Sequence, residues 1–91
     1  MKKIFIFSSD ECKACIFLKK LLQEENITYI DINKNLPQNK LLWDNVTSEI
    51  NSTALPLLFI QEENNYEGTA YIADQDWKTY KELIEIIKRN V

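Results

Sequence analysis

A chain of 91 residues with 45% apolar and 27% charged side chains is typical of one soluble domain with a core of modest size. Its net charge of −3 argues against nucleic-acid binding, and its lack of histidine excludes Ser-His or Cys-His nucleophile pairs and imidazole metal sites. No apolar run approaches the ~18 residues of a membrane span, and the N-terminal apolar run is too short for a signal peptide. We expect a single domain over residues 1–91 that is cytosolic and monomeric and binds neither nucleic acid nor membrane.

The first third of the chain predicts a strand, a helix and a second strand. The apolar run after Lys3 is typical of a central strand that is covered on both faces. Asp10 is the expected N-cap of the helix, and Asn26 can adopt the left-handed conformation that ends it. A strand, helix and strand at this spacing imply parallel pairing. The predicted bounds are Lys2–Phe7 for the strand, Ser8–Glu11 for the turn, Cys12–Glu25 for the helix and Ile27–Ile32 for the second strand.

The rest of the chain predicts a helix, a hairpin and a last helix. The predicted bounds are Asn39–Ile50 for the helix, Leu57–Ile60 for a strand, Gln61–Asn65 for a turn, Tyr66–Tyr71 for a strand and Trp77–Asn90 for the last helix. Helical spacing predicts inward faces of Leu41, Leu42, Val46 and Ile50, and of Trp77, Tyr80, Leu83, Ile84 and Ile87. Asp74 and Asp76 are both candidate caps. The order β-α-β-α-β-β-α predicts an α/β fold with a four-stranded mixed sheet flanked by three helices.

Both cysteines of the chain stand where the first strand gives way to the first helix. Cys12 and Cys15 are three positions apart, so they share one face of the helix and their sulfurs can meet. A thiolate at a helix N-terminus also gains from unpaired N–H groups and the helix dipole. In a reducing compartment such a pair is more often catalytic or metal-binding than a structural link. Structural zinc takes four ligands, so a metal site needs ligands from outside the chain; we expect no metal and favour redox chemistry over that site or idle core thiols.

The element order, Cys12-Lys13-Ala14-Cys15 and the later Ala54-Leu55-Pro56 together resemble the glutaredoxin branch of the thioredoxin fold over essentially the whole chain. The resemblance implies a cis peptide bond before Pro56, beside the dithiol, and a Leu55 backbone that pairs with an extended substrate. It also implies that Cys12 is the nucleophile and that Cys15 resolves the mixed disulfide.

The chain departs from the family pattern where glutathione binds. The family lysine three residues before the first cysteine is Ser9 here, and the glycine pair before the last helix is replaced within Ile72–Asp76. Lys13 can offer a cation to an acidic substrate or a glutathione carboxylate, or it is a solvated lysine. Ala73 and Asp74 are candidate substrate-binding residues, although capping is an alternative role for Asp74.

The resemblance implies a dithiol–disulfide oxidoreductase that reduces protein or glutathione mixed disulfides, with no tightly bound cofactor and with glutathione as co-substrate. The departures leave open a thioredoxin-like electron donor that a flavoprotein, thioredoxin reductase, recharges. A third hypothesis is a thioredoxin-fold binding subunit whose dithiol is dispensable.

Overall fold

A four-stranded mixed sheet organises the fold in the computed structural model, which describes residues 2–62 and 67–90. The elements are β1 (Lys3–Ser8), α1 (Lys13–Glu24), β2 (Ile30–Asn33), a 3₁₀ turn (Pro37–Asn39), α2 (Lys40–Ile50), β3 (Leu57–Gln61), β4 (Gly68–Tyr71) and α3 (Tyr80–Asn90). The strand order is β2-β1-β3-β4, with β1 parallel to β2 and the other two pairings antiparallel. The predicted element order and the mixed sheet are confirmed.

The central strand β1 buries side chains on both faces, as its unbroken apolar run predicts. Ile4 and Ile6 lie in one core cluster with buried residues of α1 and α3. Phe7 lies in a second cluster, against which residues of α2 pack. Helices α1 and α3 therefore cover one face of the sheet and α2 covers the other. The buried residues of the first cluster are Ile4, Ile6, Leu18, Leu22, Leu58, Ile60, Trp77, Leu83, Ile84, Ile86 and Ile87.

Helix α1 ends as the sequence predicts but begins differently. Asn26 has a φ of 57°, and the N–H groups of Asn26 and Ile27 donate to the carbonyls of Gln23 and Leu22. This is the Schellman arrangement of helix ends. At the other end, the N-cap is Cys12, whose sulfur accepts the hydrogen bond that was expected at Asp10.

Helix α2 buries only part of the face that was predicted to point inward. Val46 and Ile50 pack against the second core cluster, as predicted. Leu41 is 73% exposed and Leu42 is 44% exposed, and Trp43 packs against the cluster in their place. Leu42 and Trp43 lie four and three residues before Val46, so periodicity alone did not decide which of them is buried.

Helix α3 begins three residues later than predicted, because a capping box fixes its start. The Thr79 hydroxyl accepts from the Glu82 N–H at 3.2 Å, and the Glu82 carboxylate accepts from the Thr79 N–H at 3.1 Å. The prediction that Asp74 or Asp76 caps this helix is wrong. The Asp76 carboxylate accepts from the Ile72 N–H at 2.7 Å, inside the turn that precedes the helix.

The strand bounds also differ from those predicted. Strand β2 begins at Ile30 rather than Ile27, and Gln61, expected in a turn, is the last residue of β3. Strand β4 begins at Gly68 among the described residues. The predicted turn runs to Asn65, and its residues after Glu62 lie outside the described part of the chain. The predicted strand start at Tyr66 lies outside it as well. Among residues 2–62 and 67–90, the structure has no helix that is both long and apolar enough to cross a bilayer.

Candidate dithiol site

Cys12 and Cys15 are joined by a disulfide at the start of α1, with their Cα atoms 5.2 Å apart. Cys12 is partly exposed, whereas Cys15 is 0% exposed. The two sulfurs therefore meet, as the helical spacing predicts. Solvent or a partner can reach Cys12 but not the enclosed side chain of Cys15.

The helix N-terminus provides the electrostatic environment of Cys12. The Cys15 N–H donates to the Cys12 sulfur at 3.0 Å, and the first turn of α1 holds no acidic residue. An N–H bond and the positive end of the helix dipole both stabilise a thiolate more than a thiol. The start of the helix therefore favours the thiolate form of a reduced Cys12 over its thiol form.

The Leu55–Pro56 peptide bond is cis, as the resemblance implies, and Pro56 is fully buried. Phe7 on β1 is paired with Leu57 on β3, so Pro56 lies just beyond the end of that pairing. Cys12 follows the same end of β1 in the chain. The sheet register thus brings the proline and the dithiol to one end of the sheet.

The turn after β4 reaches the same end of the sheet. Leu58 is paired with Tyr71, so Ala73 and Asp74 follow β4 at the end where Pro56 precedes β3. Asp74 is exposed and has a φ of 68°. Its N–H donates to the Trp77 carbonyl at 2.8 Å, so this backbone N–H is already hydrogen-bonded within the turn.

Candidate Lys13, and Ser9 at the position of the family lysine, differ in burial. Lys13 is the first residue of α1, directly after Cys12, and it is exposed. Ser9 is only 8% exposed, and its carbonyl accepts from the Cys12 N–H at 3.3 Å. Ser9 therefore shapes the turn before the dithiol and offers no cation there.

Solved structures with this architecture decide the fold. The chain is similar to the thioredoxin-like protein BC3987, with 17% identity, a TM-score of 0.60 and coverage of 98% of this chain and 100% of that one. The fold is thioredoxin-like. Thioredoxin O2 from Arabidopsis thaliana, solved in its oxidized state, matches with 12% identity, a TM-score of 0.60 and coverage of 98% and 74%. A malarial protein matches with 15% identity, a TM-score of 0.55 and coverage of 100% and 98%.

No protein-family model matches the chain, and no curated protein sequence matches it significantly. At these identities the structural matches establish the thioredoxin-like fold and nothing finer. The glutaredoxin branch that the motifs indicate therefore stays a proposal.

Sequence reasoning missed a group of asparagines that holds the turn before Cys12. Residues 33–35, called here the 33–35 loop, are the last residue of the edge strand β2 and the two residues that follow it. The Lys34 N–H donates to the Ser8 carbonyl at 2.8 Å. Asn33 Nδ2 donates to Asp10 Oδ1 at 2.7 Å, and the Asp10 N–H donates to Asn35 Oδ1 at 3.2 Å. The density of asparagines between Asn33 and Asn39 was the available signal, since asparagine commonly fixes turns.

A second polar network lies between α1 and the sheet. The fully buried Ser8 hydroxyl donates to Asp31 at 2.6 Å, and Lys19 of α1 pairs with the other Asp31 oxygen at 2.9 Å. The network attaches α1 to the edge strand close to the end of β1. Over the described ranges, the structure holds no cluster of three or more acidic or cysteine side chains that could bind a metal.

Proposed function

We propose that this chain is a small dithiol–disulfide oxidoreductase in which Cys12 is the nucleophile and Cys15 the resolving thiol. The observation that supports this most is the asymmetric disulfide: Cys12 is partly exposed at a helix N-terminus and Cys15 is fully buried. A thiolate is the attacking form of cysteine, and the helix start favours it. The enclosed thiol can then reach only its neighbour.

The proposed reaction transfers two electrons from the dithiol to a substrate disulfide. The Cys12 thiolate attacks one substrate sulfur, a mixed disulfide forms and the other substrate sulfur leaves as a thiolate that takes a proton. Cys15 loses its proton and attacks the Cys12 sulfur, which breaks the mixed disulfide and releases the second substrate thiol. The product is the Cys12–Cys15 disulfide, the form of the site in this structure.

The substrate in this proposal is a disulfide on an extended segment of polypeptide or on glutathione. The Leu55 backbone, next to buried Pro56, is the candidate pairing edge for an extended segment. Lys13 offers an exposed positive charge, and Ala73 and Asp74 border the same end of the sheet. We propose that the chain acts as a monomer in the cytosol without a bound cofactor.

Two reductants remain candidates for regenerating the dithiol: glutathione and a thioredoxin reductase. The resemblance to glutaredoxins favours glutathione. Two observations favour the flavoprotein: Ser9 is nearly buried where the family has a lysine, and the Asp74 N–H already donates to the Trp77 carbonyl. Both reductants deliver two electrons and two protons to the disulfide.

A Cys12→Ser variant tests the proposed chemistry. With dithiothreitol as the electron donor, the Cys12→Ser protein should not catalyse disulfide reduction, because no accessible thiol remains to attack the substrate. Cys15→Ser should still form a mixed disulfide through Cys12, which mass spectrometry detects. A Cys12→Ser protein that still turns over a disulfide would contradict the proposal. Retained partner binding with unchanged activity in the cell would favour the binding subunit.

A coupled NADPH assay distinguishes the reductants. The oxidised chain is offered glutathione with its reductase in one arm and thioredoxin reductase in the other, and NADPH loss is followed. Glutathione use predicts turnover in the first arm, where Cys15→Ser keeps activity on glutathionylated substrates. Turnover in the second arm alone would assign the chain to the thioredoxin-like donors.

A further inference from the structure

The 33–35 loop fixes the direction of the Asp10 side chain. Asn33 Nδ2 donates to the Asp10 carboxylate at 2.7 Å, and Asn33 Oδ1 accepts from the Asn35 N–H at 2.9 Å. Both polar ends of the Asn33 amide are therefore used, which determines its orientation. The Asn39 side chain also donates to the Asn33 carbonyl at 2.9 Å, so the loop itself is anchored to the start of α2.

The position of the Asp10 charge matters because Asp10 precedes Cys12 by two residues. A carboxylate within about 4–6 Å of a thiol disfavours the thiolate. Asp10 is exposed, so without a partner its carboxylate is free to adopt other rotamers beside the turn that leads to Cys12. The hydrogen bond from Asn33 directs it toward the loop instead. The other charged residues of the turn and of the elements at this end of the sheet are Glu11, Lys13, Lys19, Asp31, Lys34, Asp74 and Asp76, of which Lys19 and Asp31 form an ion pair.

We propose that Asn33 is a positioning residue that holds the Asp10 carboxylate against the 33–35 loop and so keeps Cys12 reactive. Asn33 acts through Asp10 and need not touch a substrate. The inference rests on the proposed function, because a reactive Cys12 is useful only to a chain whose thiol attacks disulfides.

The variant that isolates this contact is Asn33→Ser. A serine hydroxyl can still accept from the Asn35 N–H, so the turn is kept, but serine is too short to reach Asp10. The reduced protein is alkylated with iodoacetamide across a pH series, and the labelled peptide is identified by mass spectrometry. We expect Asn33→Ser to lower the Cys12 alkylation rate at pH 7 by about twofold to fivefold, the range of one exposed charge. Asn45→Ser, at an exposed asparagine on α2, is the matched control and should leave the rate unchanged.

The Asp10→Asn protein tests whether the effect of Asn33→Ser on the Cys12 alkylation rate depends on the Asp10 charge. In Asp10→Asn protein the carboxylate is gone, so adding Asn33→Ser should not change the alkylation rate. A rate equal to wild type in Asn33→Ser, or a slowing that persists in Asp10→Asn, would overturn the proposal. If circular dichroism shows that Asn33→Ser is unfolded, Asn33→Asp is used in its place, because a second carboxylate repels Asp10 from the loop. An unchanged Cys12 alkylation rate in Asn33→Asp also overturns the proposal.

This test is independent of turnover. Alkylation needs no disulfide substrate, so the expected rates in a protein that reduces no disulfide would contradict the proposed function alone. Normal disulfide reduction with rates insensitive to Asn33 would contradict the role of Asn33 alone.

Discussion

Reducing the Cys12–Cys15 disulfide should weaken the fold only modestly. The two cysteines are three positions apart, so the bond closes a very short loop. The chain-entropy model assigns a loop of this length about 2 kcal/mol, against about 3 kcal/mol for a loop of 15 residues. The core clusters do not depend on that bond, since fully buried side chains such as Ile6, Leu18 and Leu57 belong to the sheet and helices. Each such side chain contributes about 1.5–3 kcal/mol.

The measurement compares urea unfolding of the oxidised and reduced protein at pH 7. A difference of about 2 kcal/mol is expected, which corresponds to a melting shift of roughly 8–16 °C for a domain of this size. The Cys12→Ser protein cannot form the disulfide, so its unfolding curve should be the same with and without oxidant. Unfolding on reduction, or a loss of 4 kcal/mol or more, would show that the disulfide and not the core holds the fold, and the reasoning would be wrong.

Three further predictions concern the fold around the site. Thr79→Ala should cost about 1 kcal/mol in urea unfolding by removing the cap of α3, while Thr79→Ser keeps the hydroxyl and stability; equal losses in both would contradict the capping box. Gly68→Ala should cost about 1–3 kcal/mol, because a Cβ there would lie 2.5 Å from the Phe59 ring and 2.7 Å from the Ile60 carbonyl oxygen; an unchanged unfolding midpoint would count against that crowding. Leu41→Ser should change the free energy of unfolding by less than about 0.5 kcal/mol, because Leu41 is exposed. Leu18→Ala should cost about 2–5 kcal/mol, because Leu18 is fully buried. A large loss of stability in Leu41→Ser would show that Leu41 packs in the core, as the sequence predicted.

The elements whose type follows from local pattern were predictable from the sequence. A short apolar run rich in β-branched and aromatic residues and bounded by polar turns is typical of a buried strand, and β1 and β3 match their predicted positions closely. The two cysteines at a strand-to-helix junction likewise predicted that their sulfurs meet. The cis bond before Pro56 followed from the resemblance, since most prolines in folded proteins are trans.

The features that were mispredicted depend on competition between equally suitable local groups. Asp74, Asp76 and Thr79 are all good N-cap residues, and only Thr79 has a glutamate three residues later to complete a capping box. On α2, Leu42 and Trp43 both lie at helical spacing from Val46, but Trp43 packs beside Phe7, with ring centroids 5.7 Å apart, while Leu42 is 44% exposed. The 33–35 loop was missed because its partner, Asp10, is distant in sequence.

The enclosure of Cys15 has a consequence for oxidative damage. A peroxide that enters from solvent meets only Cys12 and converts it to a sulfenic acid. Cys15 lies next to that sulfur and condenses with it, releasing water and forming the same disulfide. Progress to the irreversible sulfinic and sulfonic acids then has to outpace an intramolecular reaction. A site with one partly exposed and one buried cysteine therefore diverts a potentially irreversible oxidation into a disulfide, which thiols can reduce.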